Sequence, residues 1–174
     1  MDAPAAVVCA AFDPEGEALV AGVQQRLRSY GVRLPRDPAH RPHITLSAAL
    51  ADVGDVGAVT TEIAARHAPF ALRLDLIGTF ARGSTVWLGT SRAPALSALQ
   101  HDVHGSLAER WAPAFGEQTD PTRWVPHCTL ARRAGRGAAD RLRAGHHPLD
   151  IRVAALATIV VGERGDAGYV RLTG

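Results

Sequence analysis

Lysine and asparagine are absent from the 174 residues, so arginine supplies all 19 basic side chains. This bias is typical of a GC-rich genome, whose codons favour arginine over lysine and asparagine. Because codon usage explains the arginines, their number is weak evidence for nucleic-acid binding, although guanidinium groups suit phosphate. The formal net charge is only +2 and the isoelectric point of 8.9 leans basic, so charge alone identifies no partner.

Cysteines and long apolar runs are equally scarce. Cys9 and Cys128 lie in apolar, strand-like segments without a Cys-x-x-Cys or comparable metal pattern, which predicts small buried side chains. No stretch approaches the roughly 18 apolar residues of a membrane span, and no secretory leader is recognisable, so we expect a soluble cytoplasmic protein. The chain also lacks a glycine-rich Walker loop and a Gly-x-Ser-x-Gly elbow, which argues against ATP use and a serine nucleophile.

A pentapeptide that occurs twice is the most informative feature present. Pro42-His43-Ile44-Thr45-Leu46 and Pro126-His127-Cys128-Thr129-Leu130 share the pattern Pro-His-x-Thr-Leu. The composition of the chain predicts about 0.003 occurrences of this pattern by chance. Two occurrences therefore indicate a functional pair, whereas a single copy would be read as a buried strand with a satisfied core histidine.

Each pentapeptide has the alternation of a short β-strand. Successive side chains of a strand point to opposite faces, so His43 shares a face with Thr45, and His127 shares a face with Thr129. The apolar residues between them face the interior. Two imidazoles and two hydroxyls on paired surfaces predict a two-histidine acid/base site.

The flanking sequence predicts alternating strands and helices. Asp13-Pro14 is an N-cap followed by proline at the first helical position, and Leu19, Val20, Val23 and Leu27 form one stripe of the helix that follows. The remaining predicted elements are a strand at 5–12, helices at about 53–67, 93–111 and within 136–145, and strands at 70–80, 85–90, 149–161 and 168–172.

The two halves of the chain follow the same order: strand, helix, loop, histidine strand, polar helical segment and a further strand. We interpret residues 1–174 as a single bilobal domain that arose by internal duplication. The predicted fold is α+β, with two pseudo-symmetric lobes of mainly antiparallel sheet and flanking helices around a central groove.

These features resemble the two-histidine (2H) phosphoesterase superfamily, and within it the bacterial 2′-5′ RNA ligase/RNA 2′,3′-cyclic phosphodiesterase branch. The resemblance covers nearly the whole chain. It rests on Ala10-Ala11-Phe12-Asp13-Pro14, on both His-x-Thr-Leu segments, on Leu76-Ile77-Gly78-Thr79-Phe80 before Val86-Trp87-Leu88, and on Trp124 to Arg132.

The resemblance implies a metal-independent hydrolase, without a cofactor, that acts on 2′,3′-cyclic phosphate ends of RNA or nucleotides and can reverse as a 2′-5′ RNA ligase. A small cyclic nucleotide derivative is an alternative substrate, and a non-catalytic module that binds RNA ends is an alternative function. A metal hydrolase would need more ligands than His101 and His104 supply at their spacing. No heptad run or large apolar patch indicates a dimer, so a monomer is expected.

The catalytic residues expected from the motifs are His43, Thr45, His127 and Thr129. One imidazole takes a proton from water while the other protonates the departing ribose oxygen, and the hydroxyls bind the phosphoryl oxygens. We place His127 as the base and His43 as the acid.

Five further residues are candidates for binding the substrate. Strand alternation predicts Arg41 and Arg133 on the faces of the neighbouring histidines, where either guanidinium could bind phosphate; a solvated strand end is the alternative. Phe12, Trp124 and Tyr169 are candidates for stacking on a base, with core packing as the alternative for each.

Overall fold

Strands dominate the order of elements along the chain. The computed structural model describes residues 5–34, 41–80, 85–135, 137–163 and 165–174. The strands are β1 (Ala5–Phe12), β2 (His43–Leu50), β3 (Phe70–Leu74), β4 (Leu76–Phe80), β5 (Thr85–Gly89), β6 (His127–Arg132), β7 (Leu149–Val160) and β8 (Gly168–Arg171). The helices are α1 (Pro14–Ser29), α2 (Val53–Ala64), α3 (Pro94–Ala108) and α4 (Ala138–Ala144), and Gly116–Thr119 forms one 3-10 turn.

Helix α1 begins where its capping sequence predicts. The Asp13 carboxylate accepts a hydrogen bond of 2.8 Å from the Gly16 backbone N–H, and Pro14 occupies the first turn. Val20, Val23 and Leu27 are buried, as their spacing predicts, but Leu19 is 38% exposed on the flank of the stripe. Helices α2 and α3 end three residues earlier than predicted.

Two antiparallel sheets confirm the predicted fold class. The first has the order β2-β1-β7-β3, and β8 also pairs with the long strand β7. The second has the order β4-β5-β6. Strands β2 and β6, which carry the two histidine motifs, lie at sheet edges and contact each other. The two sheets therefore meet at the motifs.

The two sheets have equivalent strand orders, although each exchanges one strand with the other half of the chain. The order β2-β1-β7 corresponds to β6-β5-β4. In each, the histidine strand is at the edge and pairs with a strand from its own half of the chain. That middle strand then pairs with a strand from the other half. This equivalence makes the lobes pseudo-symmetric. It also supports the internal duplication, which stays a prediction.

The exchange depends on a break that the sequence analysis missed. The predicted strand over 70–80 is two strands, β3 in the first sheet and β4 in the second, separated at Asp75. The Asp75 backbone N–H donates to the Gly89 carbonyl, and its carboxylate accepts from the Ser91 backbone N–H at 2.8 Å. These bonds satisfy the backbone where the chain passes between sheets.

None of the described helices combines the length and the apolar character needed to cross a membrane.

Candidate active site

The histidine strands show the alternation that the sequence predicts. His43 and Thr45 are partly exposed on one face of β2, while Ile44 and Leu46 are fully buried on the other. Strand β6 repeats this pattern: His127 and Thr129 are partly exposed, while Cys128 and Leu130 are fully buried. We call the surfaces that carry these histidines and threonines the histidine faces.

A β-bulge at the leucine of each motif changes which later residues share the histidine face. In β2 the register passes from Cys9 opposite Thr45 to Val8 opposite Ser47, which leaves Leu46 as the extra residue. In β6 the corresponding extra residue is Leu130. A bulge inserts one extra residue into the strand. The side chains beyond it therefore point to the face opposite to the one that regular alternation predicts, and we call this the reversed parity.

The reversed parity overturns the prediction that Arg133 lies on the face of His127. Arg132 pairs with Thr85 and so lies on the histidine face, whereas Arg133 lies beyond the strand in a left-handed conformation with φ of 56°. The alternation argument for Arg133 as a phosphate ligand is therefore wrong. Ser47 also leaves the histidine face: it is 2% exposed, and its hydroxyl lies 3.3 Å from His104 Nδ1 on α3.

Both motif histidines are fixed in the same tautomer. His43 Nδ1 lies 2.9 Å from the Arg41 carbonyl, and His127 Nδ1 lies 2.7 Å from the Val125 carbonyl. A carbonyl only accepts, so Nδ1 carries a proton in each ring. Neither Nε2 has a hydrogen-bond partner among the described residues. Each Nε2 is thus available to accept a proton when the ring is neutral, or to donate one when it is charged.

The surroundings of His43 favour its protonated form. The Cys9 sulfur, the Arg41 carbonyl and the Asp166 carboxylate raise the pKa of His43 to about 9, against the burial that lowers it. Cys9 lies opposite Thr45 on the neighbouring strand, with its sulfur 3.9 Å from the threonine hydroxyl. The protonated form suits His43 to donate a proton.

The surroundings of His127 favour its neutral form. The Phe80 ring meets the imidazole edge-on with centroids 4.8 Å apart, and the Trp87 ring centroid is 6.1 Å away. Burial and the nearby charge of His43 lower the pKa of His127, although the Val125 carbonyl raises it. The neutral form suits His127 to accept a proton.

Sequence reasoning missed the aromatic pair beside His127. Phe80 and Trp87 were recognised only as part of the family resemblance, yet their rings lie 5.0 Å apart on the histidine face of the second sheet. Trp87 pairs directly with Thr129, and Phe80 pairs with Thr85, which lies opposite Arg132. The period-2 alternation of β4 and β5 could have placed both rings on the face of His127 once the pairing was known.

Of the three residues predicted to stack on a base, Phe12 is inaccessible to a ligand and Trp124 is bound to the first histidine motif. Phe12 is completely buried in the core, so its prediction as a base-stacking residue is wrong. Trp124 packs against the same core, and its Nε1 donates a 2.9 Å hydrogen bond to the Thr45 carbonyl. The segment before the second motif is thereby tied to the first motif.

Tyr169 and Arg41 lie together rather than facing an open groove. Tyr169 is 41% exposed on β8, but the Arg41 guanidinium covers its ring at 4.5 Å from the centroid. Arg41 is also paired with Glu17 and Asp166. Within the described ranges, no group of three or more His, Cys, Asp or Glu side chains could hold a metal ion.

Comparison with known proteins identifies relatives of this fold. A model of the 2'-5' RNA ligase superfamily matches residues 13–165. The structure is similar to E. coli LigT complexed with NADP+, with a TM-score of 0.68, 18% identity and complete coverage of both chains. No curated protein sequence matches the chain.

Two further solved structures extend the comparison. The protein TT0787 of Thermus thermophilus has a TM-score of 0.68, 20% identity and 98% coverage of each chain. E. coli LigT complexed with 3'-AMP has a TM-score of 0.64 and 19% identity, over 99% of this chain and 96% of that one. At such identities the likeness shows the shared fold.

Proposed function

Because the chain belongs to the 2′-5′ RNA ligase superfamily, we propose that it hydrolyses 2′,3′-cyclic phosphate ends of RNA or nucleotides by acid/base catalysis between His43 and His127. Membership of the superfamily supports a phosphoesterase-type enzyme. One observation carries the finer proposal: two imidazoles with Nδ1 bound to backbone carbonyls and Nε2 available, whose pKa values are shifted in opposite directions. Groups with separated pKa values are suited to act as acid and base at one pH.

The reaction is an in-line displacement at phosphorus. Neutral His127 takes a proton from water at Nε2 as the water oxygen bonds to phosphorus. Protonated His43 gives its Nε2 proton to the departing 3′ oxygen as the P–O3′ bond breaks. The product is a 2′-phosphate with a free 3′-hydroxyl, and the net proton balance is zero. In ligation, a ribose 5′-hydroxyl takes the place of water and forms the 2′-5′ bond as the P–O3′ bond breaks. In the reverse reaction, the 3′-hydroxyl gives its proton to His43 and attacks phosphorus, while His127 protonates the departing 5′ oxygen.

The threonines and Arg132 supply the contacts to the phosphoryl oxygens. The Thr129 hydroxyl has no hydrogen-bond partner among the described residues, and the Thr45 hydroxyl contacts only the Cys9 sulfur at a long distance. Arg132 is exposed on the same face and makes no ion pair with the described residues. Donors left free in this way can bind the negative charge that grows on the nonbridging oxygens during displacement.

Phosphate-bearing nucleotides as ligands are supported by a relative with the same fold, since E. coli LigT has been crystallised with 3'-AMP. The half-buried rings of Phe80 and Trp87 beside His127 add an aromatic surface suited to a nucleobase.

Incubation with an oligonucleotide ending in a 2′,3′-cyclic phosphate, in excess EDTA, tests the proposal. We expect hydrolysis to the 2′-phosphate, and losses of about 100-fold or more in kcat for His43→Ala and His127→Ala, since each removes one proton-transfer group. His101→Ala is the matched control, because that imidazole is exposed on α3 and bonded to the Ser97 carbonyl of its own helix.

Wild-type turnover in both motif variants would overturn the two-histidine mechanism, and loss of wild-type activity in EDTA would indicate a metal enzyme. A nucleoside 2′,3′-cyclic phosphate in parallel distinguishes a small-molecule substrate from an RNA end. Binding without turnover would identify a non-catalytic module.

A further inference from the structure

Arg41 is held on three sides by other elements of the fold. Its Nε donates to Asp166 Oδ2 at 2.5 Å and its Nη1 donates to Glu17 Oε1 at 3.1 Å. Glu17 belongs to α1, and Asp166 belongs to the connection between β7 and β8. The guanidinium also lies 4.5 Å from the ring centroid of Tyr169 on β8. We call Arg41, Glu17, Asp166 and Tyr169 the Arg41 cluster.

The Arg41 cluster is partly removed from water. The side chain of Asp166 is 11% exposed, and those of Glu17 and Arg41 are 28% and 35% exposed. Charge pairs in such surroundings are screened less than surface pairs, and two carboxylates share one guanidinium here. The side chain of Arg41 is therefore committed to the protein, which leaves little freedom for it to follow a substrate phosphate.

The backbone of the same residue contacts the catalytic ring. The Arg41 carbonyl accepts the Nδ1 proton of His43, two residues later, at 2.9 Å. The equivalent carbonyl of Val125 precedes His127, and the adjacent Trp124 fixes that segment by its hydrogen bond to the Thr45 carbonyl. The carbonyl that orients each histidine is thus held in place. For His43 the carbonyl belongs to Arg41, whose own side chain is anchored in the Arg41 cluster. For His127 it belongs to Val125, and the neighbouring Trp124 is anchored by its indole hydrogen bond.

We propose that Arg41 is a positioning residue for His43: the Arg41 cluster fixes the Arg41 carbonyl, and this carbonyl accepts the Nδ1 proton of His43, so that Nε2 stays free for the substrate whether the ring is charged or neutral. The mechanistic part of this inference rests on the proposed function. The positioning itself is a property of the free protein and can be measured without a substrate.

The variant Glu17→Gln separates positioning from phosphate binding. It loosens Arg41 without removing the guanidinium, and Glu17 is not among the groups that shift the pKa of His43. A positioning residue predicts that kcat falls about 5-fold to 10-fold while KM changes less than about 2-fold, since orientation of the acid affects the chemical step. A phosphate ligand predicts the opposite: a released Arg41 would leave kcat unchanged and lower KM.

Asp166→Asn removes the shorter of the two carboxylate contacts and should lower kcat more than Glu17→Gln. It also removes a charge that raises the pKa of His43, so Glu17→Gln is the variant that isolates positioning. Arg41→Lys, which keeps the charge, should retain more kcat than Arg41→Ala. Arg73→Ala is the matched control, since Arg73 forms an exposed ion pair with Asp150 at 3.0 Å between neighbouring strands of the first sheet.

Nitrogen-15 NMR of the imidazole rings provides the readout that does not need activity. Above the His43 pKa of about 9, the neutral ring of the wild type should be the Nδ1–H tautomer, and Glu17→Gln and Asp166→Asn should each add the Nε2–H tautomer. An unchanged tautomer in both variants would overturn the inference, as would an increased KM at constant kcat in Arg41→Ala. If the protein hydrolyses no cyclic phosphate, the NMR result alone decides the positioning role and the proposed function fails separately.

Discussion

His43 and His127 start from the same intrinsic pKa and the same backbone contact, and their neighbours make them different. His43 faces the Cys9 sulfur and the Asp166 carboxylate, which favour the imidazolium. His127 is packed beside Phe80, and burial favours the neutral ring. The two rings therefore hold their protons over different pH ranges, which is what an acid and a base sharing one phosphate require.

The pH dependence of kcat/KM follows from these two shifts. Because its pKa is lowered, His127 loses its proton and can act as the base already below pH 6.5. Because its pKa is raised, His43 stays protonated and can act as the acid up to about pH 9. We predict a plateau between these limits, with an acidic limb from His127 and an alkaline limb from His43. Steady-state rates from pH 5 to 10 test this, and a narrow maximum with both limbs close to pH 6.5 would contradict the separation.

At the scale of the strand, the two bulges decide which side chains share the histidine face. Leu46 and Leu130 each shift the alternation by one residue, so Arg132, not Arg133, follows Thr129 on the histidine face. No residue at either bulge indicates the shift, because neither Leu46-Ser47 nor Leu130-Ala131 includes a glycine, the residue that often marks a bulge. The sequence therefore predicts the histidine and threonine positions, which precede the bulge, and fails for those that follow it.

Arg132→Ala tests whether Arg132 lies on the histidine face beyond the bulge. We expect kcat/KM for the cyclic phosphate end to fall by at least about 10-fold, since a charge-assisted hydrogen bond to phosphate contributes about 1.5–3 kcal/mol. Arg133→Ala is the matched control, being the adjacent exposed arginine beyond the strand, and should change kcat/KM less than about 2-fold. A larger effect of Arg133→Ala would show that the strand is regular in solution.

Glycine in the second sheet makes room for the aromatic pair. A Cβ on Gly78 would overlap the Trp87 indole, which lies flat against this part of β4. Gly78→Ala should therefore destabilise the protein by about 1–3 kcal/mol through overpacking, as measured by urea unfolding. Gly22→Ala is the control: nothing lies within 4 Å of its added methyl in helix α1, so it should stabilise by about 0.5–1 kcal/mol. Equal effects of the two variants would mean that the indole does not occupy this position.

The element boundaries show what one sequence can and cannot predict. Capping residues locate the start of α1, and alternation locates β2 and β6, because these signals are local. The break at Asp75 depends on its bonds to Gly89 and Ser91, which lie 14 and 16 residues later. The burial of Phe12 depends on β1 lying between β2 and β7. The contacts of Asp75 leave no local pattern, whereas the continuous apolar run over 5–12 is typical of a buried strand and agrees with the core packing of Phe12.

At the scale of the whole molecule, each lobe contributes one histidine to the proposed site. The strand exchange ties the lobes together, since β7 from the second half completes the sheet of His43 and β4 from the first half completes the sheet of His127. The contact between β2 and β6 brings the two motifs side by side. Each sheet is complete only with a strand from the other half of the chain, so the two histidines come together in the complete fold.

The division of roles between the two histidines is tested most directly by changing the leaving atom. A substrate in which sulfur replaces the 3′ oxygen of the 2′,3′-cyclic phosphate leaves as a thiolate, which does not need protonation by an acid. Rates of the wild type, His43→Ala and His127→Ala are compared on the oxygen and sulfur substrates in EDTA. The proposed mechanism predicts that His43→Ala recovers most of its lost rate on the sulfur substrate, whereas His127→Ala remains equally impaired on both. Recovery by His127→Ala instead, or by neither variant, would contradict it.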